Sequence, residues 1–276
     1  MNNVRHEEAK LSAAHLQKAF SHAIPETAVI LGSGLGDFTK IVKVLESISY
    51  GDIPHFPQSS VAGHKGKLTI AEVADGKNVL IMEGRFHYYE GYTPQEVTFP
   101  IAVFKELGIK QLIVSNAAGG CNPSFTAGDI MIIDDHINLT GNHPLIGKND
   151  DACGPRFLDQ TAPYSPRLIA LAESLATESG VAPKKGTYVK MTGPTYETRA
   201  EIKMVQSYGA DSVGMSTVYE VIMANYFGME VLGISCITNM ATGLAKTHHN
   251  HAAVVDVANS VSEKFSKWVK NIVVAL

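Results

Sequence analysis

The chain has 276 residues, 45% hydrophobic and 18% charged, which gives one large α/β unit spanning 1–276 ample material for a core. With a net charge of −4 and a pI near 6.3, no basic surface argues for a nucleic-acid partner, so an anionic ligand must be captured locally. The three widely spaced cysteines (Cys121, Cys153, Cys236) fit reduced thiols, and a charged amphipathic start without a long apolar run leads us to expect a soluble cytoplasmic protein without a membrane partner.

Helical periodicity runs over residues 6–20 through Ala9, Ala13, Leu16 and Phe20, and an apolar strand follows at 27–31. The strand feeds Leu31-Gly32-Ser33-Gly34-Leu35-Gly36, a turn whose glycines free the backbone and whose Ser33 adds a hydroxyl donor, as an anion requires. It fits neither the dinucleotide fingerprint, because its third glycine comes one residue early, nor a Walker loop, because no Gly-Lys-Ser/Thr follows. Alternating runs at 68–73 and 79–82 flank an Asp75-Gly76 turn, which predicts a hairpin and therefore antiparallel pairing.

A helix is expected over 94–107, then strands at 111–115 and 130–133. Residues 139–164 are rich in Gly, Asn, Pro and Asp, too long for an ordinary connection and suited to a lid or an interface loop. Helix and strand then alternate: helix 166–179, strand 187–191, helix 200–208, strand 212–215, helix 218–227, strand 231–237. A last helix spans 252–273. Alternation of this kind predicts a parallel core with helices on both faces, inside a sheet that the hairpin makes mixed.

Chemistry-bearing segments sit at the ends of these strands, where ligands of α/β sheets gather. Glu83 to Gly91 places Arg85 and His87 on one side of an extended segment, so a guanidinium and an imidazole can face the same oxyanion. Ser115-Asn116-Ala117-Ala118-Gly119-Gly120 offers small residues and exposed amides, and His64 stands in a loop before the hairpin. Gly193-Pro194-Thr195-Tyr196-Glu197-Thr198 sets a ring beside a carboxylate, although Glu197 could equally serve the helix dipole. Gly214-Met215-Ser216-Thr217 and Ile237-Thr238-Asn239-Met240 finish the next two strands.

In this order and over essentially the whole chain, GSGLG, GRFHYYEGY, SNAAGG, GPTYET, DSVGMST and ITNMA resemble the trimeric, low-molecular-mass purine nucleoside phosphorylases. The resemblance implies a three-layer α/β/α fold whose mixed, partly barrel-like central sheet is flanked by helices. It further implies a homotrimer and phosphorolysis of inosine and guanosine, with inorganic phosphate as co-substrate and no cofactor. By similarity, phosphate would contact Ser33, His64, Arg85, His87, Ala117 and Ser216. Ribose would rest against Tyr89, Met215 and His251, with Phe157 supplied by a neighbouring subunit. Which of His248, His249 and His251 approaches the sugar stays open.

The same likeness puts the purine against Tyr196 and Val213, with Glu197 and Asn239 on its edge and Asn239, Glu197 and His87 as the catalytic set. A carboxylate accepts from the N1–H of a 6-oxopurine but faces the bare N1 of adenine unfavourably. Related methylthioadenosine phosphorylases carry aspartate where this chain has Asn239. A xanthosine-preferring phosphorylase, a nucleoside hydrolase and a non-catalytic purine-binding protein are the alternatives. The histidines of 247–251 have no Asp, Glu or Cys partner at a suitable spacing, so no metal is expected.

Overall fold

The computed structural model describes residues 5–58, 65–245 and 250–276, apart from the side chain of His251. Among these described residues nine strands form the sheet: β1 (Thr27–Leu31), β2 (Lys43–Ser49), β3 (Lys67–Ala74), β4 (Lys77–Glu83), β5 (Gln111–Gly120), β6 (Ile130–Asn138), β7 (Lys184–Lys190), β8 (Ser212–Gly214) and β9 (Glu230–Met240). Seven α-helices surround them: α1 (His6–Ala19), α2 (Pro94–Val97), α3 (Phe99–Glu106), α4 (Pro166–Ser174), α5 (Arg199–Ser207), α6 (Val218–Tyr226) and α7 (His251–Ala275). No described helix is long and apolar enough to cross a membrane.

The strands lie in the order β2-β3-β4-β1-β5-β8-β7-β6-β9, and a further β5–β9 pairing closes the latter part into a barrel. β5 therefore belongs both to an open sheet, where it runs parallel to β1, and to the closed ring, where it runs parallel to β9. Side chains alternate across the sheet: Ala28 and Ile30 pack with α1, α3 and α6, while Val29 and Leu31 pack with α4 and α7. Helices on both faces are thus explained by continuous apolar strands with two buried sides.

The expected parallel core holds for β1 with β4 and β5, β6 with β7, and β7 with β8. It fails at two seams of the ring, where β5 meets β8 and β6 meets β9 antiparallel. The helix expected over 94–107 is two helices, since the Pro100 ring would clash with the carbonyl one turn back and removes a donor. The helix expected over 166–179 ends at Ser174, and a single 3₁₀ turn covers Thr177–Ser179. Strands β5, β6 and β9 run beyond their apolar patterns, because pairing carries on through Ala117 to Gly120, Asp134 to Asn138, and Thr238 to Met240. Edge strand β2 has no apolar alternation and was not foreseen. Its charged Lys43 and Glu46 suit an edge that must not recruit another strand.

Candidate active site

Each loop that lines the cleft is held by packing specific to its sequence. A Cβ on Gly32 would lie 2.7 Å from the Asn116 Cα, and one on Gly34, whose φ is +73°, would lie 2.4 Å from the Ala258 Cβ. Those two glycines thus seat the first loop against β5 and α7, while Ser33 between them lines the cleft. After β4, Phe86 turns into an aromatic cluster with Tyr50 and Phe56. Its neighbours Arg85 and His87 consequently face the other way, into the cleft.

Arg85 is only 1% exposed. Its Nε lies 3.1 Å from Oε1 of Glu220, and its Nη1 donates to Ser216 Oγ at 3.1 Å and Thr217 Oγ1 at 3.4 Å. Glu220 also accepts from the Thr217 backbone N–H at 2.9 Å, while Asn116 Nδ2 donates to Thr217 Oγ1 at 2.9 Å. Thr217 itself adopts φ +71° with ψ −54°, a positive-φ conformation unusual for a β-branched residue, and Glu220 caps the helix that begins beside it. One buried network thereby fixes the orientation of the Ser216 hydroxyl.

His87 and Glu90 are joined twice, by the His87 backbone N–H at 2.8 Å and by Nδ1 at 3.0 Å to the same carboxylate oxygen. The imidazole stacks on Tyr89 with ring centroids 4.7 Å apart. Burial lowers the His87 pKa more than Glu90 raises it, which favours a neutral ring at neutral pH.

On the far side of the cleft, Tyr196 and Glu197 follow β7, Val213 to Ser216 run from the end of β8, and Thr238 and Asn239 lie near the end of β9. Gly193 (φ +66°) leaves the space that Met215 occupies, since a Cβ there would lie 2.4 Å from the Met215 sulfur. Thr238 Oγ1 donates to Asn239 Oδ1 at 3.0 Å, and Asn239 Nδ2 donates to the Met240 carbonyl at 3.2 Å. Glu197 is 9% exposed, and burial holds its carboxyl above the usual carboxylate range.

Ser33, Arg85, His87, Tyr89, Ala117, Tyr196, Glu197, Val213, Met215, Ser216 and Asn239 all line this one cleft. Phe157 does not, and it stands 90% exposed. His64, His248 and His249 lie outside the described residues, as does the side chain of His251, whose backbone opens α7. The sequence reading gave no role to Asn116, Thr238 or Val254, which also line the cleft, or to Glu90, Thr217 and Glu220 behind it. For Glu220 a signal existed, because Thr217-Val218-Tyr219-Glu220 is a capping-box pattern.

Residues 26–274 match the Phosphorylase superfamily. Purine nucleoside phosphorylase 1 of Geobacillus stearothermophilus is 50% identical over 273 residues, which cover 99% of this chain and 98% of that protein. Purine nucleoside phosphorylase of Mus musculus is 44% identical over 254 residues, covering 89% and 87%. Among solved structures, Schistosoma mansoni purine nucleoside phosphorylase in complex with adenosine superposes with a TM-score of 0.90 at 41% identity, over 96% of both chains. A schistosome purine nucleoside phosphorylase in complex with hypoxanthine gives the same TM-score, identity and coverage. On fold, ordered strand-end segments and full-length similarity together, this chain belongs to the purine nucleoside phosphorylases.

Proposed function

We propose that the protein cleaves 6-oxopurine ribonucleosides and deoxyribonucleosides by reversible phosphorolysis, releasing the free base and α-D-(deoxy)ribose 1-phosphate. The observation that carries this reading is a single cleft with oxyanion donors at one end (Ser33, Arg85, His87, Ser216) and a carboxylate and carboxamide at the other (Glu197, Asn239). Phosphate is the co-substrate, held by the donor end with the Ala117 backbone, and His64 would join them. The sugar rests between, against Tyr89 and Met215, and His251, whose side chain lies outside the described residues, would join them at its 5′ side. Phe157, exposed on one subunit, completes the sugar pocket of a neighbour in a homotrimer; sedimentation of the pure protein as a monomer would remove that part.

A phosphate oxygen bonds to C1′ as the C1′–N9 bond breaks, and the electron pair of that bond passes to the purine. Negative charge then reaches N7, where the Asn239 amide donates a hydrogen bond that strengthens as the charge develops. The ionised Glu197 accepts from N1–H, stacked beside Tyr196 and Val213. Phosphate meanwhile serves as nucleophile and as countercharge to the sugar cation.

Inosine incubated with the protein should yield hypoxanthine only when phosphate is present. Equal release without phosphate would make the protein a hydrolase, and binding without release would make it a purine-binding protein. Running guanosine, xanthosine and adenosine alongside ranks the bases, and a clear lead for xanthosine would replace the inosine and guanosine assignment.

A further inference from the structure

Lys190, the last residue of β7, is a lysine with 1% exposure that does not line the cleft. Its Nζ donates to the Met215 carbonyl at 2.7 Å and lies 4.4 Å from the centroid of the Tyr219 ring. The ring is fixed in turn by its hydroxyl, which donates to Thr140 Oγ1. Met215 and Ser216, the residues so held, both line the cleft, where the proposed function gives them to the sugar and the anion. Register explains the reach: Lys190 pairs with Gly214, so its side chain starts one residue from the turn it grips.

Burying an ammonium is costly unless its charge is used. Glu220 and Tyr219 on α6 and Arg85 after β4 are the ionisable groups that face it, so two cations stand against one carboxylate behind the turn. An arriving phosphate dianion would balance that surplus, which is complete only while Lys190 holds its proton.

We propose that Lys190 is a positioning residue for phosphate, gripping the Met215-Ser216-Thr217 turn from behind and lending the anion end of the cleft a buried positive charge. The role extends the phosphorolysis reading to a residue that touches neither substrate. Burial pulls the Lys190 pKa down to about 7, Glu220 opposing and Arg85 assisting, so in the empty site the ammonium is partly lost at neutral pH. Phosphate binding should draw the proton back, and affinity should weaken as pH climbs and that proton becomes harder to recover.

The test is titration of inorganic phosphate, without nucleoside, into wild type and Lys190→Met by calorimetry at several pH values. Lys190→Gln serves as a second variant, with circular dichroism to confirm folding of both. Wild type should bind phosphate at least about tenfold more tightly at mildly acidic pH, as expected for a buried unit charge acting on the dianion through the protein without touching it. The advantage should shrink toward pH 9, at about two units above the Lys190 pKa, and the phosphate ion's own titration cancels in the ratio. A ratio under twofold, or one that pH does not change, overturns the proposal, because a merely structural lysine gives no such dependence. Failure of both variants to fold would also overturn it. If wild type binds phosphate with this pattern yet never cleaves inosine, the phosphorolysis reading falls and the Lys190 role stands.

Discussion

Replacing Glu220 by glutamine isolates the charge behind the proposed phosphate end. The amide still offers an oxygen to the Thr217 N–H, but it removes the negative partner of Arg85, a guanidinium 1% exposed. Breaking a buried pair from one side costs about 3–5 kcal/mol. Lys190 partly relieves this by shedding its proton once the carboxylate has gone, which favours the lower end of that range. For 276 residues the unfolding entropy is about 0.6 kcal/mol/K, so the melting temperature should fall by about 5 °C, read by differential scanning calorimetry. Phosphate at matched ionic strength should then raise the melting temperature of Glu220→Gln more than that of wild type, because the dianion takes over the missing charge. A fall of less than about 2 °C, or equal phosphate increments in the two proteins, would refute the reasoning that Glu220 is the resting counter-ion of an anion site.

Asn239→Ala should lower kcat for inosine by about 10²–10³ while the KM for phosphate moves little, because the proposed mechanism aims its donor at the leaving base. Steady-state kinetics with phosphate varied will show this, and unchanged kcat removes Asn239 from the mechanism. Glu197 gives a pH signature of definite sign: its carboxyl, held above 4.5 by burial, gains a proton earlier than an ordinary glutamate as pH falls. The neutral acid can donate to adenine N1, so the kcat/KM preference for inosine over adenosine should narrow with acidification and lose this dependence in Glu197→Gln. The same raised pKa means that Glu197 costs stability as pH rises through it, so Glu197→Gln should melt no lower than wild type at neutral pH.

Most of the cleft was legible from the sequence because its residues end apolar strands, and strand ends converge in an α/β sheet. Arg85 and His87 could be paired by alternation alone, and Phe86 between them confirms the phase by packing into the aromatic cluster. Closure of the ring was not legible from periodicity. Glycine and alanine at 117–120 carry no pattern, yet they pair with β9 and β8 and so bring Asn239 beside Gly119. The glycines of the first loop were read as freedom to approach a ligand, whereas Gly32 and Gly34 are required by close contacts with β5 and α7. Nothing in the strand expected over 187–191 marks Lys190 as buried, and only register shows it directed behind the Ser216 turn.

β5 has a broader consequence through its double membership of open sheet and closed ring. On the proposed reading, the anion donors Ser33, Arg85 and His87 follow strands on one side of it, and the base partners Glu197 and Asn239 come from strands on the other, so the gap that sugar transfer would cross is gauged by main-chain register. Such a seam lets the chemistry stay constant while the recognition of the leaving group drifts. Substitutions at the tips of β7 and β9 can retune which nucleoside is chosen without disturbing the span over which attack occurs.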